Sequence, residues 1–189
     1  MIIGFFLTYQ IYSFGFSFFA LDSLIFFGVA IIGILYWIWT LFKDIKLYKS
    51  TNKKRFLVVP IVGFIFIGLI LGIGWKNYST LNKPTLVRVY YDGDYNGTSI
   101  DFKTDGTYIF DNHSIGFSDY TYGKYQINGQ RITLDKKEID NVIKSNLLEI
   151  KMKEINGTDN SENYMFQIRE NGIEIERATE FRVVVDNRK

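Results

Sequence analysis

The chain has no cysteine, two prolines and one histidine, His113. Without cysteine there is no disulfide, thiolate nucleophile, sulfur-ligated metal or lipidated thiol. One histidine cannot build a histidine-rich metal site. No GxSxG, HExxH or phosphate-loop pattern is present, and His113 lies in "DNHSIG", which reads as a polar surface turn. A base paired with a nucleophile is therefore not visible. No catalytic residue, metal ligand or cofactor is predicted, and the chain is expected not to be an enzyme.

Charge is also missing over long stretches. Residues 24–42, "LIFFGVAIIGILYWIWTLF", and 56–75, "FLVVPIVGFIFIGLILGIGW", carry none. At about 1.5 Å per helical residue each covers roughly the 30 Å of a bilayer core, so both predict membrane spans. Pro60 falls in the first turns of the second run, where a missing N–H matters least. Tyr36, Trp37, Trp39 and Trp75 suit the headgroup boundary. Residues 1–21 are uncharged too but include Tyr9, Gln10, Tyr12, Ser13 and Ser17. They are expected to form a third span, with a signal peptide or a partly inserted amphipathic helix as rival readings.

Between the two long runs lies "KDIKLYKSTNKKR", residues 43–55, with six basic side chains and one acid. Short loops rich in lysine and arginine stay on the cytoplasmic side of a bacterial inner membrane, which would carry the following domain outward. A basic segment that grips anionic headgroups without directing topology is the alternative. The charge balance divides the chain in two: residues 1–80 have a net charge of +5 and residues 81–189 a net charge of −3.

From Thr85 onward, short β-branched and aromatic runs alternate with turn signals. Strands are predicted at 86–91, 98–103, 107–112, 120–127, 131–135, 146–153, 163–169, 173–176 and 180–185. "TDGT", "ING" and "ENG" place glycine after Asp or Asn, as tight hairpins require, so successive strands should be antiparallel neighbours. Residues 136–144, "KKEIDNVIK", have apolar side chains at helical spacing and predict a short helix. Period-two patterning marks Ile100 and Phe102, Ile132 and Leu134, Leu148, Ile150 and Met152, Tyr164, Phe166 and Ile168, and Phe181, Val183 and Val185 as inward. In "DYTYGKYQI" the apolar parity changes, predicting a bulge at Gly123. The fold class is thus two or three N-terminal transmembrane α-helices followed by an all-β domain, a small antiparallel up-and-down barrel of about eight strands.

Tyrosines dominate the candidate ligand site, because their rings stack on bases and fill barrel mouths as readily as they pack in cores. Tyr108, Tyr120, Tyr122 and Tyr164 are expected to face inward, with Tyr91 and Lys124 near the rim. Asp92 and Asp94 in "YYDGDYNG" lack the rest of a calcium loop and read as a solvated turn. Gly68 and Gly72 form a GxxxG pair suited to close helix contact and homo-oligomerisation.

N-terminal membrane helices, a basic connector and a minimal barrel carrying "FKTDGTYIF…YGKYQINGQRITL" together resemble the CBASS antiphage effectors described as membrane-spanning minimal β-barrel proteins, which are associated with CD-NTases. The resemblance implies that the barrel binds a cyclic dinucleotide second messenger made by a partner nucleotidyltransferase. Binding would then drive oligomerisation of the helices and disruption of the inner membrane lipid, with no nucleic acid as partner. It also implies a cytoplasmic barrel, opposite to the side given by the basic connector. A membrane-anchored extracytoplasmic barrel acting as an immunity or ligand-binding protein is the reading from a different class.

Overall fold

The computed structural model describes residues 1–154 and 161–188. The chain forms two units, Met1–Leu81 and Asn82–Lys189.

The first unit is helical. Helix α1 (Ile2–Ser13) is followed by a short extended segment, β1 (Ser17–Phe19), then by α2 (Ala20–Thr51), a 3-10 turn (Lys54–Leu57) and α3 (Val58–Leu81). Helices α2 and α3, of 32 and 24 residues, are long and apolar enough to cross a membrane. Large apolar side chains such as Leu24, Ile32, Phe42, Leu71 and Trp75 point away from the unit, as a hydrocarbon surrounding favours. The third expected span does not form. Helix α1 has 12 residues, about 18 Å at 1.5 Å each, well short of a bilayer core. It stops because Gly15 lets the Asn77 side chain in: a Cβ there would lie 2.7 Å from Asn77 Oδ1. Asn77 Nδ2 donates to the Ile11 carbonyl at 2.7 Å, satisfying one of the orphan acceptors at the helix end. The basic stretch is less of a loop than expected. Helix α2 runs through Lys43, Lys46 and Lys49, ending where Asn52 takes the left-handed conformation at φ 53°.

The second unit is an antiparallel barrel of eight strands: β2 (Thr85–Gly93), β3 (Asn96–Lys103), β4 (Thr107–Ser114), β5 (Phe117–Asn128), β6 (Arg131–Leu134), β7 (Leu147–Glu154), β8 (Ser161–Gln167) and β9 (Phe181–Asp186). Each strand pairs with the next, and β9 pairs with β2 to close the ring. Closure leaves no sheet edge among these strands. The glycines of the three turn signals, Gly106, Gly129 and Gly172, have φ of 81°, 62° and 78°. Val87, Val89, Ile100, Phe102, Tyr108, Phe110, Tyr125, Ile132, Leu134, Leu148, Ile150, Met165 and Phe181 fill the barrel with one continuous apolar core.

Four expectations change here. Residues 136–144 are not a helix. Asp140 and Asn141 take positive φ, and Ile139 and Ile143 bond to each other N–H to C=O in both directions, so the segment folds back and buries both isoleucines in the core. Residues 173–176 form no strand of their own, only an isolated bridge between Ile168 and Glu174. No bulge occurs at Gly123, because the β4–β5 register runs unbroken from Thr107 with Lys124 to Ser114 with Phe117. Gly123 faces inward directly opposite Tyr108, and a Cβ there would lie 2.4 Å from the phenol, so glycine makes room for that ring.

The fourth change is the phase of β8. Met165 faces Ile150 and Phe181 inside the barrel, which puts Tyr164 and Phe166 on the outer face. The next inward place belongs to Gln167, which the period-two pattern puts outward with the polar neighbours of Phe166 and Ile168, and which is 2% exposed. Its Oε1 accepts from Lys144 N–H at 2.7 Å, and its Nε2 donates to the carbonyls of Val142 and Thr179 at 2.9 and 3.1 Å. A polar side chain sits inside because its hydrogen bonds are met there.

Candidate functional site

Three neighbouring strands build the floor of an outer cleft. Tyr90 on β2 is in register with Arg182 on β9, and Arg182 with Tyr164 on β8. A guanidinium therefore stands between two phenols across the strands, all on the outer face. The β8–β9 connection forms one wall with Arg177, Ala178, Thr179 and Glu180, and the end of β2 forms another with Tyr91 and Asp92. Together they enclose a cleft of about 630 Å³.

Each wall has a local cause. Arg177 adopts φ 57°, a left-handed conformation uncommon for a side chain of its size, and the Ala178 N–H closes a turn on the Ile175 carbonyl at 3.2 Å. The Thr179 carbonyl is tied to the barrel interior through Gln167, so the wall is anchored. Lys153 pairs with Glu180 and lies 5.3 Å from the Tyr164 ring centre. The Glu180 contact raises the Lys153 pKa. On the other side the Tyr90 ring stacks on His113 at 5.7 Å with an interplanar angle of 18°. His113 belongs to strand β4 and not to a turn, with Nδ1 3.2 Å from Asp111 Oδ2. Gly97 permits this stack: a Cβ there would lie 2.6 Å from His113 Nε2 and 2.8 Å from the Tyr90 hydroxyl.

The charges are uneven. Glu180 is occupied by Lys153, and Arg182 reaches Glu162 only at 4.0 Å. Arg177 has no ion pair with any described residue. Two guanidiniums are thus available to an anion, three phenol rings to a flat ring system, and Asp92 to a hydrogen-bond donor. The Asp92 side chain also accepts from Asp94 N–H at 3.2 Å, a self-contained turn. No group of three or more potential metal ligands gathers among the described residues.

Of the six tyrosine and lysine candidates, Tyr91 and Tyr164 come together in this cleft. Tyr108 faces inward as expected but is packed in the core, fully buried, its hydroxyl 3.1 Å from Asp135 Oδ1. Burial and the Asp135 carboxylate raise its pKa. Tyr120 and Tyr122 face outward instead of inward, and Lys124, expected near the rim, faces outward with them, since all three alternate with the inward Gly123 and Tyr125 on β5, three strands away from β2. Burial pushes the Tyr122 phenol up to about 12. Arg177 and Arg182 were missed by sequence reasoning. Alternation with Phe181 and Val183 marked Arg182 as outward, but no local signal says which outward residues share a cleft.

In the helical unit, a Cβ at Gly68 or Gly72 would meet nothing within 4 Å, so the GxxxG pair is not used for packing between the helices of one chain. Gly63 is: a Cβ there would lie 1.9 Å from Trp37 Nε1. Comparison with family models, curated proteins and solved structures finds no match to this chain.

Proposed function

We propose that this protein is a membrane-anchored effector of bacterial antiphage defence, in which the barrel binds a cyclic dinucleotide and the helices then assemble and breach the inner membrane. The observation that carries this reading is the Tyr90–Arg182–Tyr164 row with Arg177 at its edge. Phosphodiester anions suit the two guanidiniums, and bases suit the phenol faces. The Asp92 carboxylate suits a base N–H. The open Gly68–Gly72 face gives copies of the chain a place for close helix contact. On this reading the barrel lies in the cytoplasm, where the messenger is made.

The test is titration of the full chain in detergent with a panel of cyclic dinucleotides. Saturable binding by one of them is expected, weakened by Tyr164→Ala in line with the ~1–3 kcal/mol of one base–aromatic stack, or about five- to 150-fold. Saturable binding by none of them removes the reading. The stretch 43–55, whose six basic residues at the end of α2 and in the turn before α3 favour the cytoplasmic side, supports a second reading, an extracytoplasmic anchored barrel serving as an immunity or ligand-binding protein. Protease protection of the barrel in inside-out vesicles would favour the second over the first.

A further inference from the structure

Helix α1 accompanies only part of the α2–α3 hairpin. Phe5 packs edge-on against Phe66 at 5.0 Å, and the Ile11 carbonyl meets Asn77, so α1 follows α3 from Phe66 to Asn77. Beside the earlier turns of α3 the groove is bordered by the first residues of α1, Met1, Ile3, Gly4 and Leu7, but not filled by them. A cavity of about 380 Å³ lies there, with Gly33, Trp37, Thr40, Val59, Val62 and Phe66 in its wall. That is about a dozen times the roughly 30 Å³ that one water occupies in the liquid.

Its chemistry is one-sided. Two polar side chains of the wall have partners, Trp37 Nε1 donating to the Pro60 carbonyl at 3.4 Å and Thr40 Oγ1 to the Trp37 carbonyl at 2.9 Å, and besides them only the Tyr36 hydroxyl and the Met1 amino group bring polar atoms to a lining that is otherwise apolar side chains. Water would find few polar groups in so apolar a wall, and an empty space of this size forfeits the contacts of every side chain around it. Trp37, bedded against Gly63, gives the cavity a fixed wall. Between two membrane-crossing helices the matching occupant is hydrocarbon.

One end of the cavity is marked by charge. Thr40 in its wall lies three residues before Lys43, and Val58 follows directly on the turn that contains Lys54 and Arg55. Three residues of helix span about 4.5 Å. Six basic residues and one acid, Asp44, occupy positions 43–55. We propose that the cavity is a binding site for one membrane phospholipid with an anionic headgroup, its acyl chain in the cavity and its phosphate among Lys43, Lys54 and Arg55. The bound lipid fills the space that α1 leaves open beside the hairpin.

The full chain carrying Trp39→Phe and Trp75→Phe keeps Trp37 as its one indole. It is placed in phosphatidylcholine vesicles doped with either phosphatidylglycerol or phosphatidylcholine brominated in the acyl chains, both quenchers acting on contact. Brominated phosphatidylglycerol is expected to quench Trp37 at a several-fold lower mole fraction. Val62→Phe, which fills the cavity, is expected to remove that preference. Lys54→Gln and Arg55→Gln change no residue of the cavity wall and should each shift the phosphatidylglycerol curve by roughly fivefold, the effect of about 1 kcal/mol per basic residue at an anionic surface. Coincident curves for the two headgroups, or a preference that survives both glutamine changes, overturn the proposal. So does equal quenching by a brominated free fatty acid.

Discussion

Gln167→Leu isolates the link between the barrel interior and the cleft. The amide of Gln167 serves three backbone groups, the Lys144 N–H and the Val142 and Thr179 carbonyls. Leucine has a similar volume and removes all three bonds at a site 2% exposed. At about 1 kcal/mol net for each bond the loss is about 3 kcal/mol, and groups left without water or partner raise it further. Burying the leucine returns about 1 kcal/mol, because most of its apolar area replaces the methylenes of glutamine. The expected destabilisation is about 2–4 kcal/mol, which for a unit of this size lowers Tm by roughly 10–25 °C. Calorimetry of the full chain in detergent reads this directly. A second readout separates the wall from the core: with Thr179 released, the turn carrying Arg177 loosens, and backbone amide exchange over 177–180 should rise even well below Tm. A Tm change of under about 3 °C would refute the accounting, since it would mean that the three backbone groups find other partners at no cost.

Gly123→Ala places a methyl 2.4 Å from the Tyr108 phenol and the Asp135 carboxylate, so a loss of about 1–3 kcal/mol is expected by thermal unfolding. The loss should shrink in a Tyr108→Leu background, where the collision with the phenol is gone and only that with Asp135 remains. Acid sensitivity follows from the carboxylates of the barrel. Burial works to raise the Asp101 pKa, but Lys103, Arg88 and Thr85 outweigh it and hold the group below the usual range. Asp105 is lowered to about 2 by Lys83 and Thr107. A depressed native pKa contributes stability above the ordinary value of about 4 and loses it as pH falls through the native one. Denaturation midpoints should therefore drop from about pH 4 to pH 2, and Asp105→Asn should flatten that drop. Gly72→Leu puts bulk on a helix face that touches nothing in the same chain, and should reduce chemically cross-linked oligomers in membranes while leaving thermal unfolding unchanged.

The barrel was legible because its code is local. Alternating apolar residues on β3, β6 and β9 and the glycines of two hairpins and one further turn each determine a face or a turn within a few residues. Once every neighbour is a hairpin, closure is the simplest arrangement without edges. The readings that failed share one cause. Gln167 interrupts the apolar alternation on β8, and Asp140 and Asn141 break an apparently helical spacing. Gln167 is explained only by backbone groups distant in sequence that meet its hydrogen bonds, and the turn at Asp140 and Asn141 only by the barrel core that takes up Ile139 and Ile143.

The helical unit shows the same division. Absence of charge over about twenty residues dictates helices that fit a bilayer, because unpaired backbone groups and charges are too costly in hydrocarbon. Where α1 would stop was not written in its own residues, since that depends on Asn77 reaching Gly15 from another helix. The sequence alone thus determined the two classes of structure, their order and the outward or inward phase of most strands. Only the tertiary structure decided that Tyr90, Tyr164, Arg177 and Arg182 meet, and that Tyr120, Tyr122 and Lys124 do not. A cleft is made of neighbours across strands and loops, and one chain's local pattern carries no record of which outward side chains become neighbours when the sheet closes.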